Sequence, residues 1–190
     1  RDRLNRGIVP IFEPGLEEIL KKNYKQKRLI FTSDLKKAVT NSDIIFICVG
    51  TPSKKNTNAA NLKYIFNAAK DLKKIIKKNY KIIITKSTVP VSTGDKIEKI
   101  LINLKKKKLV DVVSNPEFLR EGEAIRDFIY PDRVIIGTDS NKANRILKSL
   151  YFPIIKKKSR YFNTSRKGAE LIKYACLLYT SPSPRDGCRS

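Results

Sequence analysis

The segment Ser114-Asn115-Pro116-Glu117-Phe118-Leu119-Arg120-Glu121-Gly122 places two carboxylates four residues apart, with an arginine between them. A carboxylate can take up and return a proton in a transition state, and a neighbouring guanidinium favours a polar or anionic substrate. Acidic residues are also common in a solvated first helical turn, where they complement the helix dipole. The motif therefore takes its weight from its neighbours. Val49-Gly50-Thr51-Pro52 offers a glycine, which lets a ligand approach the backbone closely, and a hydroxyl. Lys86-Ser87-Thr88-Val89-Pro90 offers two more hydroxyls, and Pro131-Asp132-Arg133 adds a further charged pair.

Three of these segments follow apolar runs of strand length, and the fourth precedes one. Runs at 44–49, 82–84, 109–113 and 134–136 read as buried strands, with a shorter candidate at 29–31. Between them, apolar residues recur at helical spacing. Leu62, Ile65, Phe66, Ala69, Leu72, Ile75 and Ile76 predict a helix over 61–78, and Ile97, Ile100, Leu101 and Leu104 predict another. Shorter helices are expected at 33–38, with Ser33 as N-cap, and at 123–128, 141–150 and 165–175. Such alternation implies right-handed crossovers and an α/β fold with a doubly wound, mainly parallel, Rossmann-like sheet. The carboxyl ends of parallel strands are where ligands bind in such sheets, and that is where the chemistry-bearing residues cluster.

The composition narrows the classes. In 190 residues, 41% are hydrophobic and 31% charged, which fits a globular chain rather than a disordered one. No apolar run reaches the roughly 20 residues of a membrane span, and no signal peptide opens the chain, so the cytoplasm is the expected compartment. The absence of histidine excludes a His-based triad and leaves no metal-ligand pattern; the three cysteines, Cys48, Cys176 and Cys188, form no disulfide framework. Cys48, inside the run 44–49, reads as a packing residue. The net charge of +23 raises nucleic-acid binding, but the lysines fall on polar helix faces or in the run 105–108. No aromatic residues are interleaved with them for base stacking, so neither nucleic acid nor membrane is expected as a partner.

Jointly and in this order, the four segments resemble the UDP-glucose/GDP-mannose dehydrogenase family. Pro10-Ile11-Phe12-Glu13-Pro14-Gly15-Leu16 and Ala169-Glu170-Leu171-Ile172-Lys173-Tyr174-Ala175 extend the resemblance over about residues 2–175. The intact Asn-Pro-Glu-Phe-Leu-Arg-Glu-Gly and Pro-Asp-Arg segments look more like the UDP-glucose branch than the GDP-mannose or UDP-N-acetylmannosamine branches.

The resemblance implies NAD as cofactor and a four-electron oxidation of a sugar nucleotide's primary alcohol to a carboxylate, UDP-glucose to UDP-glucuronate. In the family a cysteine carries thiohemiacetal and thioester intermediates between two hydride transfers. Carried onto this chain, Thr88 would hold a catalytic water and touch the cofactor. Glu117 would act with that water as general base, and Lys173 would stabilise negative charge developing on the substrate oxygen. Val49, Gly50, Thr51, Ser87, Thr88, Val89 and Glu121 would contact NAD, and Glu117, Phe118, Leu119, Arg120, Glu121 and Lys173 the substrate. No metal is implied, and a homodimer is implied for the full-length protein.

Departures from the family pattern set further expectations. The first βαβ unit, with its glycine-rich fingerprint, is expected before Arg1. Leu177 replaces an expected asparagine, and Cys176 is not read as the nucleophile. Residues 1–164 are expected to be a partial NAD-binding domain, 165–175 the start of an inter-domain and dimerisation helix, and 176–190 a tail foreign to the family or disordered. Lacking its first unit, the sheet would leave strand 29–31 unpaired and strand 44–49 with an open apolar edge, so this piece alone is expected to fold poorly and be inactive. Two rivals remain: a dehydrogenase of another sugar nucleotide, and a non-catalytic basic binding protein on a Rossmann-like scaffold, which salt-sensitive DNA or RNA binding without NADH formation would reveal.

Overall fold

A computed structural model of the chain describes residues 2–54, 59–155 and 160–180. The Ser/Pro/Arg stretch 181–190 lies outside the described residues, and so does most of the tail expected from 176.

Among the described residues five strands form one sheet in the order β1 (Ile44–Ile47), β2 (Lys81–Thr85), β3 (Val110–Ser114), β4 (Arg133–Gly137), β5 (Arg160–Thr164). β1, β2 and β3 are parallel neighbours and β4 is parallel to β5, while β3 meets β4 antiparallel at Ser114 and Gly137. The mainly parallel α/β sheet is therefore as expected, with one antiparallel junction that the sequence pattern did not disclose. The period of two along β2 sends successive isoleucines to opposite faces. Ile83 joins a core with Val39, Ile65, Leu72, Ile97 and Val112. Ile82 and Ile84 join a second with Val113, Val134, Ile136 and Leu147. Both faces are thus covered, which is why Ile82, Ile83 and Ile84 in β2 read as an unbroken apolar run.

The first core is closed by α3 (Leu35–Thr40), α4 (Lys63–Ile75), α5 (Thr93–Ile100) and α6 (Ile102–Lys106), and the second by α8 (Asn141–Tyr151). Before these lie α1 (Asp2–Asn5) and α2 (Leu16–Lys25); α7 (Ala124–Ile129) precedes β4, and α9 (Arg166–Thr180) ends the described chain. Among the described residues no helix is long and apolar enough to cross a membrane.

Several expectations are corrected. Residues 29–31 form no strand; Ile30 is 79% exposed, and the segment pairs with no strand among the described residues, so β1 is left as the edge of the sheet. β1 stops at Ile47, and Cys48 is exposed rather than packed, because the edge strand lacks cover on its outer side. Asp34, not Ser33, caps α3, accepting a hydrogen bond from the Lys37 N–H at 2.9 Å. The helix expected through Ile97 and Leu104 breaks at Leu101 into α5 and α6. β5, Arg160-Tyr161-Phe162-Asn163-Thr164, escaped the pattern because an exposed edge strand needs no apolar run.

Candidate functional site

The carboxyl ends of β1 and β2 lie side by side, and the loops that leave them are tied together. Ser87 Oγ donates to the Val49 carbonyl at 2.6 Å, and Thr51 Oγ1 donates to the Thr88 carbonyl at 3.1 Å. Between them Gly50 faces open space, with nothing within 4 Å of where a Cβ would stand. An exposed glycine flanked by two hydroxyl-bearing loops at adjacent strand ends fits a flat dinucleotide approaching the backbone. Val89 is buried below them in the first core.

One strand further on, the loop from β3 forms the wall of a cavity of about 750 Å³. It begins at Asn115, which is buried: its N–H donates to the Thr85 carbonyl, and its Nδ2 to the Ile135 carbonyl. Asn115 Oδ1 accepts from the Tyr151 hydroxyl at 2.5 Å and from Lys86 Nζ at 3.4 Å. Glu117, Phe118, Leu119 and Arg120 all line the cavity, but Glu121 does not. The Arg120 guanidinium is bound back onto α7, with Nη2 at 2.8 Å from Asp127 Oδ1 and 2.6 Å from Glu123 Oε2. That pairing, first through the hydrogen bond from Arg120, holds the Asp127 carboxyl down at about 2.

Lys173 comes to this wall from α9. Its ammonium donates to the Glu117 carbonyl at 2.6 Å and to Glu117 Oε1 at 3.0 Å, with only 8% of the residue exposed. Phe118 packs beside it, the ammonium lying 5.4 Å from the ring centroid. Lys173 also lines a neighbouring cavity of about 10 Å³ with Ser87, Thr88 and Val89, so it stands between the two groups of expected site residues. Cys176, one turn along, faces the large cavity.

The spacing on α9 explains how Lys173 is held. Residues three and four apart share a helix face, and Arg166, Glu170 and Lys173 make one such row. Arg166 bridges Asp95 at 2.9 Å, Glu98 at 3.0 Å and Asp139 at 3.3 Å. Glu170, 3% exposed, accepts from the Ser92 N–H at 2.7 Å, the Gly94 N–H at 2.8 Å and Ser114 Oγ at 3.0 Å. It thereby satisfies backbone donors at the start of α5, whose own N-cap, Ser92, makes no side-chain cap bond. Burial raises the Glu170 carboxyl, and the bonds from Gly94, Ser114 and Ser92 oppose that rise. In the sequence, Glu170 stands out only as a member of the segment Ala169-Glu170-Leu171-Ile172-Lys173-Tyr174-Ala175 that carries the resemblance. A glutamate three residues before a candidate lysine on a helical pattern was the available signal.

Lys86, just after β2, also lines the large cavity, and no local pattern in the sequence marks it. Burial, reinforced by the like charge of Lys173, lowers its ammonium to about 8, against an opposing pull from Glu117. Since 8 lies below the unfolded value of 10.5, the unfolded chain binds more protons between those two values, and folding stability rises as pH climbs through them. Lys86→Met is expected to be the more stable protein at neutral pH. Its advantage over the parent should shrink between about pH 8 and pH 10.5, as thermal melts across that range will show.

The family profile described as the UDP-glucose/GDP-mannose dehydrogenase family, NAD binding domain, matches residues 2–155. A UDP-glucose 6-dehydrogenase of Rhizobium meliloti (strain 1021) is 45% identical over 174 residues, covering 90% of this chain and 40% of that protein. The crystal structure of a GDP-mannose dehydrogenase ternary complex from Pseudomonas aeruginosa superposes with a TM-score of 0.87 at 35% identity, over 94% of this chain and 41% of that one. A UDP-glucose dehydrogenase from the archaeon Pyrobaculum islandicum gives 0.86 at 35% identity, over the same shares of 94% and 41%. The chain spans about two fifths of the length of the relatives it matches.

Proposed function

The chain belongs to the UDP-glucose/GDP-mannose dehydrogenase family, and from that premise we propose that it is the NAD-binding part of a nucleotide-sugar 6-dehydrogenase that converts UDP-glucose to UDP-glucuronate. The observation that carries this reading is the Lys173–Glu117 pair, 3.0 Å apart on the wall of the 750 Å³ cavity. An ammonium fixed in a poorly hydrated wall stabilises a developing oxyanion far better than one free in water. Lys173 takes that role. Glu117, half-buried beside it, accepts a proton through a water that Thr88 helps to hold.

The loop from Glu117 to Glu121 orients the sugar, with Phe118 and Leu119 supplying apolar surface and Arg120 a charge already shared with Asp127. Val49, Gly50, Thr51, Ser87, Thr88, Val89 and Glu121 hold the dinucleotide. NAD supplies the hydride acceptor that an alcohol-to-carboxylate oxidation requires. Leu171, exposed on α9 within the segment 165–175, supports a homodimer built on that helix.

The choice of sugar nucleotide is tested by assaying the enzyme, completed to the length of its relatives, for NADH formation with UDP-glucose, GDP-mannose and UDP-N-acetylmannosamine. UDP-glucose is expected to give the highest kcat/KM. Preference for GDP-mannose would transfer the assignment to the sister branch. Absence of NADH with all three would remove the enzymatic reading.

A further inference from the structure

The segment containing Glu13 lies far from the cavity in sequence, yet its side chain ends at the cavity's wall. Glu13 Oε2 accepts from the Gly122 N–H at 3.0 Å, and Oε1 from the Ala124 N–H at 2.8 Å; these donors follow Glu13 by 109 and 111 residues. Both belong to the turn that ends the loop and opens α7. Gly122 adopts a φ of 81°, and a Cβ there would meet nothing within 4 Å. Glycine is therefore required by the backbone angle and not by lack of room. Glu123, the N-cap of α7, makes no side-chain cap bond, so Glu13 supplies acceptors the helix start lacks.

None of the residues of α7 is buried. Hydrophobic packing therefore does not fix this helix, although Glu123, Arg126 and Asp127 line the cavity. Its placement depends on polar anchors. Arg120 ties the loop to α7 internally through Asp127. Lys173 ties it to α9. Glu13 ties the far end to the segment before α2.

We infer that Glu13 is a positioning residue for the sugar-nucleotide site: its carboxylate holds the end of the Glu117–Glu121 loop and the start of α7 where they close the cavity wall. This rests on the functional reading above. Glu13 does not reach the cavity itself, so it acts through the loop. Its loss loosens the wall while leaving the sheet and both cores untouched.

The test compares Glu13→Gln and Glu13→Ala with the parent in the completed enzyme, with Glu17→Gln as control. Glu17 pairs with Lys21 on the exposed face of α2, and its removal should leave kinetics unchanged. Glutamine keeps one acceptor and must present its NH2 to the second donor, so it should give an intermediate effect. Glu13→Ala is expected to raise KM for the sugar nucleotide about tenfold or more, from the loss of two hydrogen bonds to a charged acceptor. The kcat should change much less, and the melting temperature little. Unchanged KM in both variants overturns the inference, as does a kinetic loss that merely follows a lowered melting temperature. Amide hydrogen exchange separates this failure from failure of the enzymatic reading. Faster exchange at residues 117–124 in Glu13→Gln, with the strands unaffected, upholds the anchor whatever the parent's activity, and unaltered exchange contradicts it.

Discussion

Lys173→Met in the completed enzyme is expected to lower kcat by roughly 100- to 1,000-fold, the range seen when one donor of an oxyanion site is removed. Methionine keeps much of the length of the side chain but carries neither charge nor donor. It thus removes the two bonds to Glu117, at 2.6 and 3.0 Å, together with the ammonium available to a substrate oxygen. If Lys173 were one more surface lysine among the 41 basic residues of this chain, the change would fall within experimental error. Its 8% exposure and its place between the two cavities argue against that. Steady-state kinetics at saturating substrate decide it, with a thermal melt to show that the variant is folded. A kcat within about twofold of the parent would remove Lys173 from the chemistry.

Gly137→Ala is the substitution expected to do most damage to the fold around the site. Gly137 ends β4, where α9 crosses it, and an added Cβ would lie 2.6 Å from Ala169 Cβ, 2.8 Å from Arg166 Cα and 2.8 Å from the Ser165 carbonyl oxygen. Two of those neighbours are backbone atoms at the start of α9, so the helix must move to relieve the clash. Overpacking of this kind costs typically about 1–3 kcal/mol and occasionally more. The denaturation midpoint should fall without a change in slope. Because Arg166, Glu170 and Lys173 ride on the same helix face, kcat/KM should fall as well, since a misplacement of about 1 Å can cost on the order of 100-fold. Gly50→Ala, with open space around it, serves as the stability comparison. Equal midpoints for the two variants would show that α9 is not packed against β4 as described.

These two expectations draw on different parts of what the sequence revealed. Ile82, Ile83 and Ile84 announced a strand covered on both faces, and the spacing from Leu62 to Ile76 announced α4, because burial imposes a period that the residues must obey. The loop after β3 was legible for another reason: Asn115, Glu117 and Arg120 are polar residues immediately behind an apolar strand. The strand expected at 29–31 failed because apolar residues alone cannot make a strand without a neighbour, and Ile30 instead faces solvent. β5 was invisible because its alternation is weak at an exposed edge. Least legible were the long-range polar anchors. Glu13 on Gly122 and Ala124, and Glu170 on Ser92 and Gly94, join residues 76 to 111 apart, and no local pattern encodes such a pairing.

The site and the fold are tied by one helix and one loop, and the claim that they oxidise an alcohol through to an acid makes a countable demand. Oxidation of a primary alcohol to a carboxylate releases two hydrides. With UDP-glucose limiting and NAD in excess, the completed enzyme is expected to form two molecules of NADH for each molecule of UDP-glucose consumed, with UDP-glucuronate as the product. One NADH for each sugar nucleotide, or consumption without NADH, would contradict the assignment of Lys173 and Glu117 to that reaction.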